Sequence, residues 1–312
     1  MGNQRLRVFA PATIANIGPG FDVLGLALSS PGDLVEIELS DTPGVQIVDV
    51  TGDGGKLTRD PTKNVASRAA ADVLRRVGAD KGLRLWLHKQ MPLASGLGSS
   101  GASSAAGAVA ANELLGRPLS MLDVVASAME GECAASGTPH ADNVAPSVMG
   151  GFVLVRSYDP FELVPLPVPD GLRVAVVHPH CQVSTAHARR LVNERTYGLD
   201  LIVPNSGSLA ALVASLYRGD LPLLGRSIDD RIIEPLRATL IPGFADVKSA
   251  ALGAGALGCS IAGSGPSVFA FADEDEAARR IGAVMQAAFR SAAGLDSDLF
   301  WGKVSTEGAR VM

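Results

Sequence analysis

The residues best suited to chemistry in this chain cluster in one Gly/Ser-rich stretch: Pro92, Leu93, Ala94, Ser95, Gly96, Leu97, Gly98, Ser99, Ser100, Gly101 and Ala102, continuing through Ser103 and Ser104. A strand-like run at 83–89 precedes it, and residues 105–115, helical in pattern and interrupted only by Gly107, follow it. A glycine turn that opens a helix is an anion site. Glycine lets the backbone approach closely, and the unpaired N–H groups of the first helical turn point at negative charge. The serines after Gly98 can bond a phosphate or ligate a magnesium ion. The stretch reads as a nucleotide phosphate loop.

Gly96, Gly98 and Gly101 also spell G-x-G-x-x-G. As a dinucleotide fingerprint that spacing requires the first βα turn of a Rossmann unit and an acidic residue about 20 positions later at a strand end. Here the loop lies far into the chain, and Asp123 falls inside a helical pattern. No Walker G-x-x-x-x-G-K-[ST] and no protein-kinase signature occurs. A glycine turn serving only close helix packing is the structural alternative.

A second candidate is Glu132. Ser120 opens a helix with Asp123 at the capping-box position, and Met121, Val125, Ala128 and Met129 form its apolar stripe. Helical spacing puts Glu132 on that stripe, whereas Glu130 falls on the polar face with Asp123 and Ser127. An inward carboxylate is costly unless it meets a cation or donors. A buried arginine pair and a Mg²⁺ ligand both answer that need, and the helix alone does not choose. Asp22 reads as a cap beside a loop shaped by Gly18, Pro19 and Gly20, and Arg189 and Arg237 read as ion-pair partners.

These groups need elements to hold them. The spacing predicts strands at 5–10, 34–39, 83–89, 152–156, 172–178 and 298–304, and a strand–glycine turn–strand unit over 258–271. Helices are predicted after an Asn64 N-cap as far as Gly78, near 185–192, 208–218 and 244–253, and over 274–290. Residues 52–63 read as a polar loop, 137–143 as a polar turn, and the proline-rich 159–171 as a domain boundary.

Composition sets the limits. The 312 residues suffice for two domains, and 47% hydrophobic content with 35 glycines but only 4% aromatics predicts a closely packed α/β-type protein. A net charge of −5 gives no case for a nucleic-acid or anionic-membrane partner. No apolar run reads as a membrane span, and the N-terminus leads straight into a strand rather than a signal peptide. Three cysteines without metal spacing predict reduced thiols and a cytoplasmic protein.

Three segments together, 11–25, 92–106 and Gly263-Ser-Gly-Pro-Ser267, resemble the motifs of the GHMP kinases, which phosphorylate small alcohols. Within them the likeness is to the homoserine kinases and spans nearly the whole chain. It includes His140-Ala-Asp-Asn-Val-Ala-Pro146, Val183-Ser-Thr185, Ala188-Arg189, Glu234-Pro-Leu-Arg237 and Glu307-Gly-Ala-Arg-Val311. Gly101 stands where many relatives have alanine.

The resemblance implies an α+β GHMP kinase fold: an N-terminal domain like ribosomal protein S5 domain 2 over 1–165, and a C-terminal ferredoxin-like domain over 166–312. It implies ATP on the phosphate loop, with Asn64 and Lys89 toward the base and sugar, and Mg²⁺ held by Ser100 and Glu132. It assigns substrate binding to Asn16, Asp22, Asn143, Thr185, Arg189 and Arg237, and gives Gly263 a place in the turn that closes the site. It further implies L-homoserine as substrate and a homodimer. In this scheme Asp22 holds an α-ammonium and the arginines fork onto an α-carboxylate. Asn143 stands where several relatives carry an aspartate base. A neutral amide can only orient the acceptor hydroxyl, so charge is offset by the loop, Mg²⁺ and Lys89. Another small alcohol as acceptor, or a non-catalytic ligand sensor, are the competing functions.

Overall fold

The computed structural model describes residues 5–136 and 140–312, without the side chains of 134–136. The first half runs β1 (Leu6–Ala15), β2 (Leu24–Ser40), β3 (Val45–Thr51), α1 (Val65–Val77), β4 (Gly82–His88), α2 (Ser99–Leu114), α3 (Met121–Ser136), α4 (Ala141–Met149), β5 (Phe152–Tyr158) and β6 (Phe161–Leu166). The second half runs β7 (Arg173–Pro179), α5 (Thr185–Asn193), α6 (Leu199–Arg218), α7 (Leu221–Arg226), α8 (Glu234–Ala238), α9 (Phe244–Gly253), β8 (Gly258–Ile261), β9 (Val268–Ala272), α10 (Asp275–Ala293), β10 (Ser297–Lys303) and β11 (Arg310–Val311).

The first sheet orders its strands β11-β1-β2-β4-β3, with β5 on β2 and β6 on β5. β2 serves two partners, β4 along Leu34–Ser40 and β5 along Leu24–Leu26. β3 and β4 run parallel, and the helix between them, α1, makes the crossover that parallel pairing demands. The second sheet is antiparallel, β10-β7-β9-β8. The chain passes between sheets across 167–172, at the end of the stretch read as a boundary, but Val304 bridges back to Leu28 and β11 pairs with β1. The last residues therefore sit on the first sheet.

Helix α2 lies at the centre of the first half, packed on β1 and β2 and against α1, α3 and α4. Its residues Ala102, Ala105, Ala106, Ala108, Ala110 and Ala111 are fully buried, so it is apolar all round rather than amphipathic. Small residues allow that crowding. A Cβ at Gly107 would lie 2.2 Å from the Ala66 carbonyl oxygen, so the apparent helix breaker is the point of closest approach to α1. Alternation along the second sheet divides its residues between two cores. Val174, Val176, Phe269 and Phe271 join the core of the first half, while Ala175, Val177, Val268 and Ala270 pack with residues of α9 and α10.

Local signals are met at several ends. Asn64 accepts from Ala66 N–H at 3.1 Å and Gly78 closes α1 in the left-handed conformation, while Ser120 accepts from Asp123 N–H at 3.2 Å. Three readings change. The loop after β1 is shorter than expected, because β1 continues to Ala15. Residues 137–139 of the expected polar turn lie outside the described residues, and Asn143 stands in α4, not in a turn. Helix α6 begins well before 208; it has 20 residues, an 18-residue window of mean hydropathy 1.4, and is long and apolar enough by length and composition to cross a membrane. The reading of apolar runs missed it because Asp200 and 204–208, a Pro-Asn-Ser-Gly-Ser sequence, interrupt the run, although the average stays high.

Candidate active site

One cavity of about 420 Å³ lies between the two sheets. The β1–β2 loop, the 52–64 loop, the phosphate loop, α3, α4, α5, α8 and the β8–β9 turn all contribute walls. The phosphate loop ends at Gly98, left-handed at φ 64°, and α2 starts at Ser99 with no side chain capping it. The open helix start therefore faces the cavity, as an anion site requires. Gly96 (φ 82°) is also left-handed, and a Cβ there would lie 2.6 Å from the Ala262 carbonyl oxygen. The loop is pressed onto the β8–β9 turn, where Ser267 donates both N–H (3.2 Å) and Oγ–H (2.6 Å) to the Ser95 carbonyl.

Of the eleven loop residues singled out, Leu93, Ala94, Ser95, Gly96, Gly98, Ser99 and Ser100 line the cavity. Pro92, Leu97, Gly101 and Ala102 frame it from behind. Leu97 and Ala102 are fully buried, and the Leu97 carbonyl accepts from Thr13 N–H at 3.0 Å.

Ser100 and Glu132 meet: the serine hydroxyl donates to Glu132 Oε1 at 2.8 Å. Burial, more than any neighbour, raises the Glu132 carboxyl above its ordinary pKa, against the Ser100 bond and Lys89. A half-buried hydroxyl beside a buried carboxylate at a helix start is a set of hard oxygen donors suited to Mg²⁺, which takes few protein ligands and completes its shell with water and phosphate.

Lys89 takes a different place from the one expected. Its ammonium is buried, ion-paired with Asp33, and donates to Ser99 O (2.9 Å), Ser99 Oγ (2.6 Å) and Ser103 Oγ (2.9 Å). With its charge neutralised by Asp33, Lys89 anchors the first turn of α2 rather than offering free charge at a base or sugar. Asn64 is likewise engaged through both ends of its amide, Oδ1 on Ala66 N–H and Nδ2 on Thr58 O (3.1 Å), so it fixes the 52–64 loop to α1. The Asn64 cap was legible in spacing, whereas the Lys89 role was not, because Asp33 is remote in sequence.

The opposite end of the cavity is charged. Arg189 forks onto Asp22 through two bonds of 2.8 and 2.9 Å. Asn16 is a strut: Oδ1 accepts from Asp22 N–H (3.1 Å) and Nδ2 donates to the Gly263 carbonyl (2.8 Å), which also accepts from Arg237 Nη1 (2.8 Å). Both arginines lie by the Phe21 ring. Thr185 Oγ1 meets Ser264 Oγ at 3.1 Å, tying α5 to the same turn. Asn143 stands between the two ends, its Oδ1 accepting from Thr13 Oγ1 at 2.8 Å. His140 and Asp142 are among the wall residues that were not assigned to the site. Asp142 is almost fully buried, and burial, aided by Asp22, pushes its carboxyl up to about 7.

Family models of the GHMP kinases match the chain twice, the N terminal domain over residues 64–151 and the C terminal domain over 212–291. A homoserine kinase of Chlorobium phaeobacteroides (strain BS1) is 48% identical, the match covering 97% of this chain and 98% of that one. The chain belongs to the GHMP kinase family, within its homoserine kinases. A homoserine kinase of Arabidopsis thaliana is 43% identical over 98% of this chain and 84% of its own. The crystal structure of homoserine kinase from Cytophaga hutchinsonii superposes with a TM-score of 0.96 at 48% identity, covering all of this chain and 98% of that one. The GHMP kinase fold accounts for the arrangement just described, a phosphate loop opening α2 and a glycine turn from the second sheet closing over it.

Proposed function

We propose that this GHMP kinase transfers the γ-phosphoryl group of ATP to the side-chain hydroxyl of L-homoserine, giving O-phospho-L-homoserine and ADP. The observation that carries the reading is the position of Asn143, between an anion-binding helix start and a wall holding Asp22, Arg189 and Arg237. A zwitterionic amino acid held at the charged wall presents its terminal hydroxyl toward the loop.

Phosphoryl transfer has a loose transition state, so alignment and charge stabilisation do most of the work. The open N–H groups at Gly98–Ser100 bind the phosphates, and Lys89 holds that turn in shape through Ser99 and Ser103. Ser100 and Glu132 would hold Mg²⁺, which supplies positive charge against the phosphate oxygens. Thr13 donates to Asn143 Oδ1, so the amide keeps its N–H donors for the acceptor oxygen. The hydroxyl oxygen attacks phosphorus, the bond to the β-phosphate oxygen breaks, and the hydroxyl proton leaves to the transferred phosphate or water without a side-chain base. The nucleotide base and sugar fit against the 57–65 wall.

The setting proposed for the enzyme is the cytoplasm, as part of threonine biosynthesis, with no nucleic-acid or membrane partner. A homodimer is proposed on the exposed apolar residues Leu199, Val203 and Tyr217 of α6, which suit a protein contact. The deciding assay is ADP release with Mg²⁺–ATP on L-homoserine, D-homoserine, L-serine, mevalonate, shikimate and galactose. Turnover confined to L-homoserine supports the proposal. Turnover on a different alcohol, or none with ATP still bound, overturns it.

A further inference from the structure

We infer that α6 docks on α6 of a second copy of this chain as an antiparallel pair, and that the pair braces the loop between β1 and β2. This rests on the homodimer reading above and gives it a geometry and an effect on catalysis.

Helix α6 has two unlike sides. Of its 20 residues only Leu212, Ser215 and Leu216 are buried. The opposite side is a stripe at helical spacing through Leu199, Val203, Ala210, Ala214 and Tyr217, all exposed. Leu199 is 75% exposed, and Val203 and Tyr217 are each 64% exposed. A large apolar face left in water marks a contact surface. The stretch before Leu212 contains no buried residue, yet a helix draws most of its stability from a packed face. A second copy supplies that face.

Charge names the occupant. Asp200 and Arg218 are the charged residues of α6, with none between them. They stand about five turns apart at roughly 3.6 residues per turn, so both lie on one edge of the helix, beside the stripe. A two-fold axis midway between them sets Asp200 against the partner's Arg218, and the reverse, as a self-complementary contact requires. The same axis puts the large Leu199 and Tyr217 at the ends of the pair and the small Gly207 and Ala210 at its centre. A Cβ at Gly207 would meet nothing within 4 Å in the chain itself, so the centre is open to a close approach. A lipid surface is a poorer match. Helices that lie on membranes carry Lys and Arg along the polar side, and α6 has Arg218 alone.

The pairing reaches the active site through Asn205, on the part of α6 that has no buried residue. Its Oδ1 accepts from Arg231 N–H at 3.2 Å, and its Nδ2 lies 3.5 Å from the carbonyl of Pro19, in the loop between Asn16 and Asp22. Asn16 and Asp22 both line the cavity. A partner that steadies this part of α6 therefore steadies that loop from behind.

Sedimentation velocity on the full chain tests the pairing. Wild type should be dimeric at micromolar concentration. Ala210→Glu brings two carboxylates to the centre of the pair, and should raise the dimer dissociation constant at least about 100-fold. Asp200→Arg and Arg218→Asp should each raise it about tenfold, and the two together should bring it back to within about threefold of wild type. The double reversal is wrong for the helix dipole at both ends, so recovery cannot come from the helix itself. Monomeric Ala210→Glu should show KM for L-homoserine raised about three- to tenfold, with KM for ATP unchanged.

A monomeric wild type overturns the homodimer reading and this inference with it, as does a monomer that floats with phosphatidylglycerol vesicles. A dimer indifferent to Ala210→Glu, or charge reversals that fail to rescue each other, overturn the inference alone, because the contact then lies elsewhere. Monomeric Ala210→Glu with the wild-type KM for L-homoserine overturns the brace.

Discussion

Thr13 Oγ1 donates to Asn143 Oδ1 at 2.8 Å, and the left-handed Gly98 of the phosphate loop packs against both groups. The bond joins β1 to α4 at the point where the loop turns into α2. It sets which way the Asn143 amide faces, so Thr13 positions a catalytic group without touching substrate. Thr13→Val keeps the shape and removes the donor. The amide can then flip, and kcat should fall about 10- to 100-fold while KM for ATP holds. Thr13→Ser should restore most of the rate. An unchanged kcat in Thr13→Val would show that the bond is structural only.

Gly98→Ala tests the same junction from the other side. The added Cβ would meet Thr13 Oγ1 at 2.0 Å and Asn143 Oδ1 at 2.7 Å, at a φ of 64° that already strains an L-residue. Displacing the pair by a fraction of an ångström should cost about 10²-fold in kcat. Circular dichroism should show a folded chain.

For the metal, Glu132→Gln keeps the Ser100 contact and removes the charge. The Mg²⁺ concentration giving half-maximal rate should rise about 10- to 100-fold, with ATP binding measured without metal unaffected. Ser100→Ala should have a smaller effect of the same sign. A metal requirement unchanged in both would remove them from the ligand set.

Lys89 predicts a stability effect. Lys89→Met leaves Asp33 buried and unpaired, and should lower unfolding free energy by about 3–5 kcal/mol in urea denaturation. Adding Asp33→Leu should recover much of that loss. Recovery of stability without activity would separate the anchoring of α2 from folding.

The second sheet's hold on the loop is tested by Ser267→Ala. It removes the hydroxyl that bonds the Ser95 carbonyl and lies 3.2 Å from His178 Nδ1. Because that hydroxyl's one proton goes to Ser95, the histidine must be the donor to Ser267. KM for ATP should rise about three- to tenfold, and KM for the amino acid should stay constant.

The sequence made the loop, the Asn64 and Gly78 caps, α9 and the inward side of Glu132 legible, because each depends on neighbours within a few residues. Family resemblance brought Asn16, Asp22, Thr185, Arg189, Arg237 and Gly263 into one list, and all of them line the cavity. What spacing could not supply was partnership. Lys89 with Asp33, Asn16 with Gly263 and Thr13 with Asn143 join residues from 56 to 247 positions apart. The strands β3 and β6 escaped notice because each is short and only partly buried, so neither alternates cleanly. Asp142 was passed over because 137–143 was read as a polar turn, whereas residues from Ala141 onward form α4.

One strand pair belongs to two interiors: Val174, Val176, Phe269 and Phe271 face one, and Ala175, Val177, Val268 and Ala270 the other. Prying the sheets apart to admit nucleotide would bring two phenylalanines into water, at roughly 1.5–3 kcal/mol each. Traffic in and out is therefore left to the polar rim, the 52–64 loop and the start of α5. Amide exchange should find β7 and β9 opening only with the whole molecule, and the rim opening far more often.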